Sequence, residues 1–140
     1  DERIRDIAVK NPKALLLMTI PGIAEIRAME ILSEVGDINR FESSNKFCSY
    51  AGLIPGIKQS GTTIKYGRLI KQANRNLKYV FVEAAISFLK VKQDNILKQF
   101  YQRLSKKKGK QKARCALARK ICSITYAMLK KNQEFMLLWR

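Results

Sequence analysis

The run Leu77 to Val91, LKYVFVEAAISFLKV, constrains this chain more than any other feature, because at helical spacing it is apolar on nearly every side. A helix of that kind needs neighbours all round. It is predicted to begin at Asn74 or Asn76, to end at Lys92 and to form the centre of the core. At 140 residues and 46% hydrophobic, the chain is long enough to bury one such core without metals or disulfides. No apolar run approaches the ~18 residues a membrane span needs, and no signal-like segment leads the chain. A cytoplasmic protein with no membrane partner is the expectation.

The other apolar stretches are also helical. Asn11 followed by Pro12 is a helix start, with Pro where its missing N–H costs nothing, and Ala14 to Met18 follow. Ala24, Ala28, Ile31, Leu32 and Val35 share one stripe that Gly36 ends. These two helices flank the turn Ile20-Pro21-Gly22-Ile23. Phe41 is expected to pack on this hairpin, and Ser43 or Ser44 to cap a short helix through Tyr50. Five glycine or proline residues from Gly52 to Gly67 leave no helical period, so residues 52 to about 66 read as a loop with room for a short β-hairpin. Ile96, Leu97, Phe100, Tyr101 and Leu104 mark an amphipathic helix capped by Asp94. Leu117, Ile121, Ile124, Thr125, Met128 and Leu129 mark a last long helix, joined to it by the positive run Ser105 to Lys110. For the apolar end FMLLWR three places are open: this domain, a second subunit, or a domain outside the chain. The charged segment Asp1 to Val9 reads as a helix connecting from an earlier domain, so residues 1–12 are assigned to that connection and 13–140 to one domain.

Charge narrows the partners. The 28 Lys and Arg against 11 Asp and Glu leave a net charge of +17, which points to a polyanion, nucleic acid before any other. Between Asp94 and Glu134 there are twelve Lys or Arg and no acid. Lys106, Lys107, Lys108, Lys110 and Lys112 are the candidate contacts there. The Pro-Gly-Ile turn is a second candidate, because a helix N-terminus presents unpaired N–H groups to a phosphate; Gly22, Ile23 and Ala24 would make that contact.

The third is the stretch from Ser49 to Arg75. It has no carboxylate, and Lys58, Lys65, Arg68, Lys71 and Arg75 surround the hydroxyl of Ser60. Gln-Ser-Gly is ordinary turn chemistry. Its cations, however, are what a serine oxygen attacking a phosphodiester requires, since the transition state gains negative charge that Arg and Lys can stabilise. The chain has no His, which excludes Ser-His-Asp and Cys-His catalysis within it, and Cys48, Cys115 and Cys122 lack metal-binding spacing and read as buried apolar residues. The acids Asp1 to Glu42 read as exposed helix faces and caps rather than a two-metal site. Glu83 on the apolar helix reads as a partner for a Lys or Arg of a neighbouring helix.

Six pieces in order carry a resemblance: TIPGI (Thr19 to Ile23) with ILSEVGDINRF, YAGLIP (Tyr50 to Pro55), QSG (Gln59 to Gly61), GRLIKQAN (Gly67 to Asn74), VEAA (Val82 to Ala85) and ARKI (Ala118 to Ile121). Together the chain from Leu17 to about Phe135 resembles the C-terminal domain of insertion-sequence transposases related to the Piv and MooV invertases, the IS-one-ten family. The turn resembles a helix-hairpin-helix motif, with Ala24 where a second Gly is usual; Ile70 and Ala73 also depart from the common residues. The resemblance implies a serine recombinase in which Ser60 is the nucleophile, with Arg68, Lys71 and Asn74 handling phosphate beside it. It also implies a RuvC-like domain, outside this chain, holding divalent metal (Mg), a bridging guide RNA, and a homo-oligomer as the working form. The expectation is an all-α domain with a helix-hairpin-helix at 13–36, a long loop and a C-terminal antiparallel helical pair. Two alternatives stay open: a non-catalytic helix-hairpin-helix binding module in which Ser60 is a turn residue, and a basic RNA-associated protein.

Overall fold

The computed structural model describes residues 2–54 and 74–136. Among these, every regular element is helical: α1 (Glu2–Val9), α2 (Pro12–Leu17), α3 (Glu25–Val35), a 3-10 turn (Ile38–Arg40), α4 (Ser44–Tyr50), α5 (Arg75–Lys90), α6 (Ile96–Lys108) and α7 (Lys110–Lys131). Local chemistry sets most of their starts. The side chain of Asn11 accepts from the N–H groups of Lys13 and Ala14, Ser43 accepts from Lys46, and Asn74 accepts from Leu77. Each thereby satisfies donors that a helix start leaves unpaired. For α6 the cap is Asn95, whose side chain accepts from Lys98 N, and not Asp94; Asp94 Oδ1 instead accepts from the Asn95 N–H at 2.9 Å.

The centre of the fold is α7, not α5. The 22-residue α7 packs against α2, α4, α5, α6 and the 3-10 turn, and buries Leu117, Ile121, Ile124, Thr125, Met128 and Leu129. Helix α5 buries Leu77, Val80, Phe81, Ala84, Ala85 and Phe88 against α3 and α7, while Tyr79 is 65% exposed. Its apolar residues therefore make one broad face, and its opposite side meets solvent. It also stops at Lys90, two residues early.

Two further expectations are revised. The lysine run is not a loop, because α6 continues to Lys108 and α7 starts at Lys110, so Gly109 alone turns the chain, at φ +93°. Lys120 Nζ then lies over the Phe100 ring at 4.5 Å, so residues on either side of the turn come together in a helical hairpin. Ile96 faces solvent at 49% exposure, whereas Leu97 is buried. Phe41 packs its ring on Phe47 and Tyr50 of α4, centroids 5.1 Å away in both cases, and its carbonyl accepts from Tyr126 Oη at 2.9 Å. The C-terminal apolar end begins by packing on this domain: Phe135 lies 6.3 Å from Phe88, and its N–H donates to Thr19 Oγ1.

Candidate functional site

Tyr50, ahead of residues 55–73, and Asn74, just after them, meet in one polar cluster. On the leading side, α4 closes with Gly52 N–H donating to Ser49 O and Leu53 N–H to Cys48 O. On the returning side, Asn74 N–H donates to Tyr50 O at 2.8 Å. The Asn74 side chain is fully used: Oδ1 accepts from Leu77 N–H at 2.9 Å, and Nδ2 donates to Tyr50 Oη at 3.3 Å and to Glu34 Oε2. Arg40 supports the same cluster, with Nε donating to Val35 O, Nη2 to Glu34 O, and its guanidinium 4.8 Å from the Tyr50 ring centre. The Asn74 hydrogen bond, and then Arg40, hold the Tyr50 phenol below its ordinary pKa.

Of the residues singled out in the sequence, Lys58, Ser60, Lys65, Arg68 and Lys71 lie outside the described residues, as does the short β-hairpin. Asn74 and Arg75 stand where the segment returns, and Arg75 is exposed on the first turn of α5. Lys106, Lys107, Lys108, Lys110 and Lys112 are all exposed and flank Gly109 on both helices, so they share one end of the hairpin. At the Pro-Gly-Ile turn, Ile23 is buried and its N–H donates to Ile20 O, while Gly22 faces the backbone of α5. Ala24 is exposed, and no side chain caps the start of α3.

Sequence reasoning missed Glu34, Tyr50 and Arg40. Glu34 is not a free acid on an exposed face: it is half-buried and receives the Asn74 amide across 40 residues of sequence. Glu83 accepts from Tyr79 Oη of its own helix at 3.3 Å, and no Lys or Arg of a neighbouring helix pairs with it among the described residues.

A second polar group is partly buried between α4 and α7. Cys48 Sγ is 3.5 Å from Ser123 Oγ, which is 2.7 Å from Ser44 Oγ. Cys48 and Cys122 are buried, but Cys115 is exposed, because its place on α7 faces away from the core. Among the described residues, no group of three or more His, Cys, Asp or Glu could hold a metal ion, and no helix is long and apolar enough to cross a membrane.

Comparison with known proteins places this arrangement. The model of the transposase IS116/IS110/IS902 family matches residues 14–102, a stretch that includes the turn, the cluster at Asn74 and the intervening segment. The chain is 32% identical over 127 residues to the pilin gene-inverting protein of Moraxella bovis, covering 89% of this chain and 39% of that protein. It is 31% identical over 132 residues to the insertion element IS110 uncharacterized 43.6 kDa protein of Streptomyces coelicolor, covering 93% and 32%. It is 26% identical over 137 residues to the transposase for insertion sequence element IS1111A of Coxiella burnetii, covering 96% and 38%. The chain thus spans no more than about two fifths of these curated relatives, at 39%, 32% and 38% of their lengths. With well over half of its residues matched by the family model, the chain belongs to the IS116/IS110/IS902 family of transposases.

Proposed function

We propose that this chain is the DNA-binding catalytic part of a longer transposase that cuts and rejoins DNA through Ser60. The family match across residues 14–102, which brackets Gln59-Ser60-Gly61, carries this reading. Relatives named for gene inversion and for insertion-sequence transposition support DNA as the substrate. Ser60 Oγ bonds to the phosphorus of the scissile phosphodiester as the bond to the leaving strand oxygen breaks; the serine gives up its hydroxyl proton and the departing strand takes one up as a free hydroxyl, which leaves protein linked to DNA. Lys58, Lys65, Arg68, Lys71 and Arg75 supply the positive charge that this transition state needs. Divalent metal belongs in this reading to a RuvC-like domain elsewhere in the protein. A guide RNA and a homo-oligomeric assembly complete it.

Two surfaces of the chain serve binding in this reading. The exposed lysines around Gly109 take up nucleic-acid phosphates. The uncapped start of α3 offers N–H groups beyond Ala24 as a helix-hairpin-helix contact; Ile23 contributes packing instead, because its N–H is bonded to Ile20 O.

The test is Ser60→Ala in the full-length protein, read by DNA cleavage, by the covalent protein–DNA adduct on denaturing gels, and by DNA affinity. Cleavage and adduct are lost while affinity stays within about twofold, since a hydroxyl carries little of an electrostatic interface. Strand exchange at the normal rate by Ser60→Ala would overturn the proposal. If charge reversal at Lys65 or Arg68 also weakened binding in that case, the chain would be a binding module alone.

A further inference from the structure

We propose that the solvent side of α5 at Tyr79 is a stacking platform for an unpaired base of single-stranded nucleic acid, with Arg75 and Lys78 beside it for the phosphates. The inference rests on the reading of this chain as a nucleic-acid-binding part of a transposase. It names one contact made there and uses nothing of the chemistry at Ser60.

Tyr79 stands apart from the other aromatic side chains. At 65% it is the most exposed large hydrophobic side chain among the described residues, whereas Tyr126 is buried and Tyr50 and Tyr101 are half-buried. The fold makes no use of its ring, because α5 packs through Leu77, Val80, Phe81, Ala84, Ala85 and Phe88. Its hydroxyl donates to Glu83 Oε1 at 3.3 Å, one turn further along the same helix. That bond ties the polar tip down on α5 and leaves the ring open to solvent. A surface pair at this spacing contributes little to helix stability, so it gives no reason for an aromatic here.

The charges around the ring are positive. Arg75, Lys78 and Lys90 are the cations of α5 and all are exposed, against the single acid Glu83. Arg75 lies four residues before Tyr79, on the same side of the helix and ~6 Å away along its axis. Lys78 adjoins Tyr79 in sequence. A base laid on the ring therefore has its own backbone phosphate within reach of a cation, which is how single strands are held by aromatic and basic side chains together.

These two groups select the ligand. Stacking needs a base whose face is free, and in a duplex the faces are covered by neighbouring bases. Phosphate binding alone needs only the cations, so the ring has a use with an unpaired base that it lacks with a duplex. An apolar protein partner needs a wider patch, and the exposed neighbours Arg75, Asn76 and Lys78 are polar.

The experiment uses the full-length protein with Tyr79→Ala, Tyr79→Phe and Lys78→Gln. Four labelled probes of one sequence are compared across salt concentrations: single-stranded DNA, single-stranded RNA, the DNA duplex, and the DNA single strand with abasic sites. Tyr79→Ala weakens single-strand binding by about tenfold or more and leaves duplex and abasic probes within about twofold. It leaves the slope of log affinity on log salt unchanged, since no phosphate contact is lost, while Lys78→Gln flattens that slope by about 0.7 on single strands. Tyr79→Phe stays within about twofold of the native protein, because the ring stacks and the hydroxyl does not. The unfolding midpoint of Tyr79→Ala stays near the native value, so the loss is read on folded protein. A loss confined to DNA or to RNA identifies which strand lies on α5. Single-strand affinity unchanged by Tyr79→Ala, or lost equally on all four probes, overturns the proposal and leaves nucleic-acid binding by the lysines around Gly109 standing. Failure of the underlying reading shows differently, as a native protein that binds none of the probes.

Discussion

Gly22 lies against the backbone of Phe88: a Cβ at Gly22 would stand 2.6 Å from Phe88 N and 2.8 Å from Ser87 C. The turn between α2 and α3 is thereby pressed onto the last turns of α5, and Ile20 and Ile23 on either side of it are buried. The small residue that the sequence suggests for phosphate approach is required here by a helix of the same chain. Arg27 reaches back to this turn, with Nη1 donating to Gly22 O at 3.3 Å.

Gly22→Ala is therefore expected to be costly. Its φ of +92° disfavours any L side chain, and the atoms it would strike are backbone, which cannot turn aside. Strain and overpacking together should cost about 2–4 kcal/mol. Gly109→Ala is the control, with φ +93° and no atom within 4 Å of the added carbon, so only the backbone term remains, about 1–3 kcal/mol. Urea unfolding compares them, and equal losses would show that the close approach to α5 carries no cost of its own.

The five lysines around Gly109 make a different prediction, because they are exposed and none is needed by the core. Replacing Lys107, Lys110 and Lys112 with Gln should leave the unfolding midpoint nearly unchanged. It should weaken DNA or RNA binding and flatten the dependence of log affinity on log salt by about 0.7–0.9 for each phosphate contact removed. A salt slope that does not move would show that this end of the hairpin stays clear of nucleic acid. These lysines lie beyond residues 14–102, so the experiment also reports on a surface the family match does not cover.

Features settled by near neighbours were legible in the sequence. Asn11, Ser43, Gly36 and Asn74 end or begin helices as their chemistry suggests, and the stripe on α7 is buried as its spacing predicts. Misreadings arose where two local solutions compete or where the partner is distant. Asp94 and Asn95 can both cap, and only the backbone geometry selects Asn95, leaving Asp94 to accept from its neighbour's N–H. The apolar density of α5 suggested the centre, yet centrality depends on how many elements a helix meets, and α7 meets more of them. Glu34 could not be found by spacing, because the group that gives it meaning is Asn74, on the far side of the 55–73 segment.

The buried thiols yield a prediction about pH. The hydrogen bond from Cys122 is the largest influence on Cys48; with Ser123, Arg119 and Ser44 it outweighs burial and brings the thiol from an ordinary 9.0 to about 6. Cys122 moves the other way, raised well above its ordinary value by burial first and then by its contact with Cys48. The pair thus favours one thiolate, on Cys48, with Cys122 as the donor. A folded pKa below the unfolded one stabilises the fold fully above about 9 and loses that contribution as pH falls through about 6. The raised Cys122 works in the opposite direction above about 9, where the unfolded thiol ionises and the folded one resists. Urea unfolding of the native chain and of Cys48→Ala under reducing conditions should therefore show a stability difference that widens as pH rises from 6 towards 9. Cys115→Ala, which changes an exposed thiol, should show a pH-independent difference. If the Cys48→Ala difference is flat across that window, Cys48 is protonated in the folded state and donates to Arg119 O, 3.9 Å away, as an ordinary buried thiol.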